Sequence, residues 1–148
     1  MTDIIKATID DLNDLVTMGC AFFHEAQWQD LYEWDNNSAS LVLADLIQNP
    51  EAVVYMAKQD GISIGMAAAV LYPLWYNTNI KVAQEFFMYV RPEKRGVGTK
   101  LKNKLEEEAI KMGARTMAMG SVEALPALDK YYARSGYAPS EKTFIKRL

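Results

Sequence analysis

Residues Gln84–Gly113 read QEFFMYVRPEKRGVGTKLKNKLEEEAIKMG, and this stretch organises the chain. From Phe86 to Val90 every residue is aromatic, β-branched or Met, and none is a breaker, so a buried strand is expected. Pro92 cannot donate to a ladder and biases Arg91 towards extended geometry, which ends the strand there. Beyond Gly98, Leu101, Leu105, Ala109 and Met112 recur at helical spacing, and Gly113 supplies a stop. The unit is therefore strand, basic glycine turn, amphipathic helix.

Such a turn suits an anion. Glycines let the backbone approach closely, and N–H groups at a helix N-terminus together with the helix dipole favour negative charge. Arg91, Lys94, Arg95 and Lys100 add positive charge at the same place. The loop lacks the spacer of a Walker A sequence, and Gly96-Val97-Gly98 lacks the third glycine of a dinucleotide fingerprint. From these residues alone, an anion site and a plain tight turn with a solvated basic face both stand.

VRPEKRGVGTKL resembles the acyl-CoA loop of GNAT-type N-acetyltransferases, written Gln/Arg-x-x-Gly-x-Gly/Ala and commonly preceded by Val-x-Pro. Tyr131-Tyr132-Ala133-Arg134-Ser135-Gly136-Tyr137 is similar to that family's FYxxxGF-like segment, in the right order and at a suitable separation. Two registers are open. In one, Arg95, Gly98 and Lys100 take the motif positions, with Lys where a small residue is usual. In the other, Gly96 and Gly98 are the motif glycines, the loop is two residues short, and Glu93 replaces Gln or Arg. In either, the resemblance implies that acetyl-CoA is the cosubstrate and that its pyrophosphate meets Arg95, Gly96, Val97, Gly98, Thr99 and Lys100. It also implies that backbone groups at Met88, Tyr89 and Val90 serve the pantetheine arm and an oxyanion. The family's frequent Asn after the fifth strand is missing; Glu123, Ala124 and Leu125 occupy that region.

The length of 148 residues suits one domain spanning 1–148. Composition is that of an ordinary globular protein, 50% hydrophobic and 24% charged, and the net charge of −3 argues against a nucleic-acid partner. One cysteine excludes an internal disulfide and fits a reducing cytoplasm. One histidine and one cysteine supply no zinc ligand set, so no metal is expected. No leader pattern stands at Met1–Leu12, and no apolar run reaches the ~20 residues of a membrane span.

Along the chain, Ile4–Thr8 reads as a strand. Thr8 reads as the cap of a helix reaching about Ala26, with Leu12, Leu15, Val16, Gly19, Phe22 and Phe23 as its stripe. Cys20 falls in that stripe's helix as a packing residue, and His24 reads as a helix-end histidine. Gln27–Ser38 is an aromatic and acidic loop, with Trp28 and Tyr32 as candidate acceptor-binding residues; the alternative is that these rings cover the sheet edge. Ser38 or Ser40 opens a second helix ending at Asn49-Pro50. Ala52–Lys58 and Ile62–Leu71 are strands joined at Asp60-Gly61, a strong hairpin signal. Tyr72–Lys81 reads as a second acceptor loop carrying Trp75 and Tyr76. A fifth strand at Ala114–Met119 and a helix from Pro126 to Arg134 follow, then closing strands at Tyr137–Ala138 and Thr143–Lys146. With the resemblance, this gives an α/β fold: a mixed, mostly antiparallel sheet of six to seven strands flanked by about four helices.

Acetyl transfer from a thioester to an amine needs a base, because a free alkyl ammonium has a pKa of about 10. It also needs an N–H donor for the oxyanion and a proton for the departing thiolate. Glu85 is the only acid in the Val82–Val90 strand and is the candidate base; a paired structural carboxylate is the competing reading. By resemblance Tyr132, four residues before Gly136, is the candidate acid. The expected partner is a small-molecule or peptide amine, and the family's habit of pairing chains makes a homodimer an expectation. A non-catalytic CoA-binding or regulatory module of the same fold is the alternative function.

Overall fold

The structure, a computed structural model, describes all of residues 1–148. Five strands stand in the order β1 (Thr2–Lys6), β2 (Ala52–Gln59), β3 (Ile62–Leu74), β4 (Asn77–Val90), β5 (Ala114–Ala118). The first four are antiparallel neighbours, and β5 runs parallel to β4. Four helices cover the sheet: α1 (Leu12–Glu25), α2 (Asn36–Gln48), α3 (Gly98–Lys111) and α4 (Ala127–Arg134). No helix is long and apolar enough to cross a membrane.

Alternation along the strands feeds two cores, as a pleated sheet with both faces covered requires. On one face, Val54, Met56, Met66, Ala68, Phe87 and Tyr89 pack with Leu15 and Met18 of α1 and Leu43 and Leu46 of α2. On the other, Val53, Tyr55, Ala57, Ile64, Ala67, Ala69 and Val90 pack with Leu101 and Leu105 of α3. The stripe read from the sequence in α3 is thus its buried face.

Local chemistry explains most boundaries. Thr8 and Asp11 form a capping box, with the Thr8 N–H donating to Asp11 Oδ2 at 2.9 Å, and a short 3-10 turn leads into α1. Asp60 (φ 52°) and Gly61 (φ 79°) both take the left-handed conformation that the β2–β3 turn demands.

Four expectations are corrected. The second helix is opened by Asp35, which accepts the Ser38 N–H at 2.6 Å; Ser38 and Ser40 lie inside it. A carboxylate at that position satisfies an orphan donor at least as well as a hydroxyl does. Tyr72–Lys81 is not a loop: β3 and β4 continue through it and turn only at Trp75-Tyr76. Pro73 is tolerated in β3 opposite Lys81, next to a register shift at Pro73/Leu74. The sheet has five strands, not six or seven. Tyr137–Ala138 and Thr143–Lys146 form no ladder: Tyr137 completes the end of α4, Pro139 has no N–H, and Phe144 and Ile145 are exposed.

Candidate active site

β4 is the strand on which the site is built. It pairs with β3 along its length up to Val90, but with β5 only as far as Gln84, which stands opposite Ala118. From Glu85 to Val90 the β5 side of β4 has no strand partner. β5 ends at Ala118, so from Glu85 onward that side of β4 is left to the loop after β5 and to α4.

A β-bulge decides which way Glu85 faces. Ala68 stands opposite Phe87 while Ala69 stands opposite Glu85, so Phe86 is the extra residue. In unbroken alternation Glu85 would share the face of Phe87 and Tyr89, against α1 and α2. The bulge turns it instead to the face of Ala69, where α3 lies. Half-exposed Phe86 takes up the irregularity, its ring 5.8 Å from that of Phe87.

Just beyond the end of β5, Tyr132 of α4 donates its O–H to Glu85 Oε2 at 3.4 Å, and the Gly120 N–H, from the loop after β5, donates to the same oxygen at 3.3 Å. Glu85 takes part in none of the ion pairs. Burial pushes its carboxyl up to about 7, against the opposing pull of those two donors. Burial, with the nearby Glu85 carboxylate second, raises the Tyr132 phenol far above its ordinary range, so it stays protonated. A carboxyl poised near neutrality and a protonated phenol in contact can accept one proton and donate another.

Tyr132 is held by a helix ending that the sequence spells out. Gly136 (φ 90°) donates its N–H to the Ala133 carbonyl at 3.2 Å, and Tyr137 donates to the Tyr132 carbonyl at 3.0 Å. This is a Schellman motif, in which the residue after the glycine packs on the residue five before it. The Tyr132 and Tyr137 rings meet accordingly, centroids 5.7 Å apart.

The basic turn is a 3-10 segment, Pro92–Val97, kinked at Lys94, that runs directly into α3 at Gly98. The Gly98 N–H donates to the Arg95 carbonyl, so not every amide of the turn is free in this conformation. Neither Gly96 nor Gly98 has a positive φ. A Cβ at Gly96 would meet nothing within 4 Å, and one at Gly98 only Val90 Cγ2 at 3.8 Å. Neither backbone geometry nor packing demands glycine at these positions, which leaves a bare surface that a ligand's phosphates can approach closely. Thr99 Oγ1 lies 3.1 Å from the Tyr131 hydroxyl and joins this turn to α4. Exposed Lys100 is in no ion pair. Arg95 pairs with Glu25 of α1 and lies over the Tyr89 ring at 5.8 Å.

The remaining sequence candidates divide. Met88, Tyr89 and Val90 pair with β3 and lie on the length of β4 whose other side has no strand partner, with Tyr89 and Val90 buried. Trp28 sits in a short 3-10 turn, its ring 5.1 Å from Phe22, which in turn lies 5.8 Å from Tyr89. Tyr32 is half-exposed on the same loop. Trp75 and Tyr76 form the exposed tip of the β3–β4 hairpin, stacked edge-on at 5.4 Å. They stand on the order of 30 Å from Glu85 along the strand, at ~3.3 Å per residue. His24, four residues after Cys20, is a basic neighbour overlooked in the sequence. Its Nδ1 lies 2.9 Å from the Cys20 carbonyl and 3.8 Å from the sulfur, and neither residue touches Glu85 or Tyr132. Gly120 was also missed, because nothing in its neighbourhood in sequence marks it as a donor to Glu85.

The family model described as the acetyltransferase (GNAT) family matches residues 17–137, and the chain belongs to that family of N-acetyltransferase enzymes. Its fold is that of a predicted acetyltransferase from Clostridium acetobutylicum solved with acetyl-CoA. The TM-score is 0.78 and the identity 18%, over 99% of this chain and 96% of that one. The aminoglycoside N-acetyltransferase AAC(6')-Iy in complex with CoA gives a TM-score of 0.78 at 17% identity, over 100% and 95%. The ribosomal-protein-alanine N-acetyltransferase of Brucella melitensis gives 0.76 at 16%, over 100% and 99%. Compared by sequence with curated proteins, the chain matches none.

Proposed function

We propose that this enzyme transfers an acetyl group from acetyl-CoA to a primary amine by direct attack, with Glu85 as base and Tyr132 as acid. The observation that carries the reading is their contact at 3.4 Å, beside the point where β5 ends along β4. The turn from Arg95 to Lys100 holds the pyrophosphate, through backbone amides at the start of α3 and the unpaired Lys100 charge. The unpartnered backbone of Met88–Val90 hydrogen-bonds the pantetheine arm, as an added strand would. Acetyl-CoA supplies the activated acyl group; the chain's own residues bind, orient and move protons.

Glu85, poised near 7, takes the proton that the amine must lose. Tyr132, which holds its proton firmly, gives it to the departing sulfur. The Glu85–Tyr132 contact then returns the first proton to the phenol, and both side chains end as they began. Bonds balance: one C–N bond forms, one C–S bond breaks, one proton passes from nitrogen to sulfur, and an acceptor that arrives as an ammonium has already released its extra proton to solvent.

The acceptor is a cationic amine in this reading. Asp30, Glu33 and Asp35 lie on the loop that carries Trp28 and Tyr32, and carboxylates with aromatic faces suit an ammonium group. The relatives' names span aminoglycosides and the alanine of a ribosomal protein, which are both amines. The test is calorimetric titration with acetyl-CoA against an ADP control, then free-thiol release with a panel of aminoglycosides and alanine-terminated peptides. Acetyl-CoA-selective binding with amine-dependent thiol release is expected. Absent binding, or equal affinity for ADP, would overturn the assignment of the turn.

A further inference from the structure

Beyond Tyr132 lies a second set of polar groups, gathered on a buried lysine, that the proposed chemistry does not use. Lys102 of α3 is only 5% exposed. Its Nζ donates to Glu106 Oε1 at 2.7 Å and to Asn103 Oδ1 at 2.8 Å. The Tyr137 hydroxyl donates to the same Glu106 oxygen at 2.8 Å. Removing an ammonium group from water is costly, and the Glu106 side chain that pairs with it is still 33% exposed, so the pair is weak support for stability by itself. The geometry gives the pair another role. Glu106 is fixed by the lysine and pins the hydroxyl end of Tyr137. The ring of Tyr137 rests on that of Tyr132, and the phenol of Tyr132 points at Glu85.

We infer that Tyr137 is a positioning residue: the Lys102–Glu106 pair anchors it to α3, and its ring holds the Tyr132 hydroxyl against Glu85. The inference rests on the proposed roles of Glu85 and Tyr132 for its catalytic meaning, but its geometric content stands apart from them. The Schellman ending alone places Tyr137 near Tyr132; the tether to α3 ties that ending to the helix into which the glycine turn runs. One rigid helix thus sets both the turn and, through Glu106, the phenol. A packing role alone needs only the Tyr137 ring and leaves the hydroxyl–Glu106 bond without purpose.

The experiment reads the position of the Tyr132 hydroxyl through the Glu85 carboxyl, followed by NMR titration of carboxyl-labelled, unliganded protein. The groups facing that carboxyl are the Tyr132 O–H from α4 and the Gly120 N–H after β5. Tyr132→Phe removes one donor to the charged form and raises the midpoint by about half a pH unit, as loss of one modest hydrogen bond should. Tyr137→Leu, which loses ring contact and tether, raises it by a similar amount. Tyr137→Phe, which keeps the ring and cuts the tether, raises it by less. In the Tyr132→Phe background neither change at Tyr137 has a further effect. A wild-type midpoint in both Tyr137 variants overturns the inference, and so does an equal shift when Tyr132 is already Phe. If Tyr137→Leu does not fold, Tyr137→Phe decides by the same criterion. Turnover separates the two readings: unchanged turnover in Tyr132→Phe removes the acid role, while the carboxyl midpoints of the Tyr137 variants still decide the positioning role.

Discussion

Replacing Glu85 by Gln should make the protein more stable at neutral and alkaline pH, and by an amount that depends on pH in a defined way. Burial lifts the Glu85 carboxyl from an ordinary 4.5 to about 7. Between those values the folded chain holds a proton that the unfolded chain releases. Stability therefore falls as pH rises through the window and levels off above it; below it both states are protonated and nothing is lost. At roughly 1.4 kcal/mol per pH unit, the full rise corresponds to about 3 kcal/mol. Glu85 is partly open to solvent, so a gap of about 1.5–3 kcal/mol is the expectation. Gln keeps an oxygen to accept the Gly120 N–H and the Tyr132 O–H, so the substitution removes the titration and little else. The assay is urea unfolding of both proteins at several pH values from about 4.5 to about 8. All other titrating groups are common to the two chains, so the difference between the curves isolates Glu85. A gap that opens with rising pH is expected. Parallel curves, or a wild type that gains on the variant as pH rises, would mean that the carboxyl is an ordinary ionised group, and the argument for a poised base would fail.

Tyr132→Phe should lower kcat by about 10²-fold, the scale of one acid–base group, while leaving acetyl-CoA affinity unchanged by calorimetry; normal turnover would remove Tyr132 as the acid. Gly98→Glu should melt like the wild type, because the added Cβ meets only Val90 Cγ2, at 3.8 Å, yet lose acetyl-CoA binding through bulk and charge; retained binding would move the cosubstrate elsewhere. Gly136→Ala should destabilise by about 1–2 kcal/mol, since a side chain is strained at φ 90°, whereas Gly96→Ala should not; equal melting temperatures for the two would undo the account of the α4 ending.

Much of this protein was legible in the order of its residues, because the relevant forces are local. A Pro after an apolar run and glycines ahead of a helical stripe marked the end of β4 and the start of α3 without reference to any other part of the chain. Asp60-Gly61 specified its turn because two adjacent positive φ values admit few residues. The spacing of Tyr132, Gly136 and Tyr137 is that of a helix ending, so even the contact between the two rings was latent in the sequence. Tertiary structure decided the rest. Trp75 and Tyr76 lay in a segment rich in Pro and Asn that reads locally as a loop. Cross-strand pairing overrode that preference and carried them to a hairpin tip remote from Glu85. Thr143–Lys146 has the side chains of a strand, but a strand exists only where a neighbour completes its hydrogen bonds, and this chain offers it none. The face that Glu85 presents was hidden for the same reason. Alternation assigns Glu85 to the side of Phe87 and Tyr89, and only the pairing of β3 with β4 inserts the bulge at Phe86 that turns the carboxylate to Tyr132. Periodicity along one strand determines which residues can be buried; the register between two strands decides which of them meet.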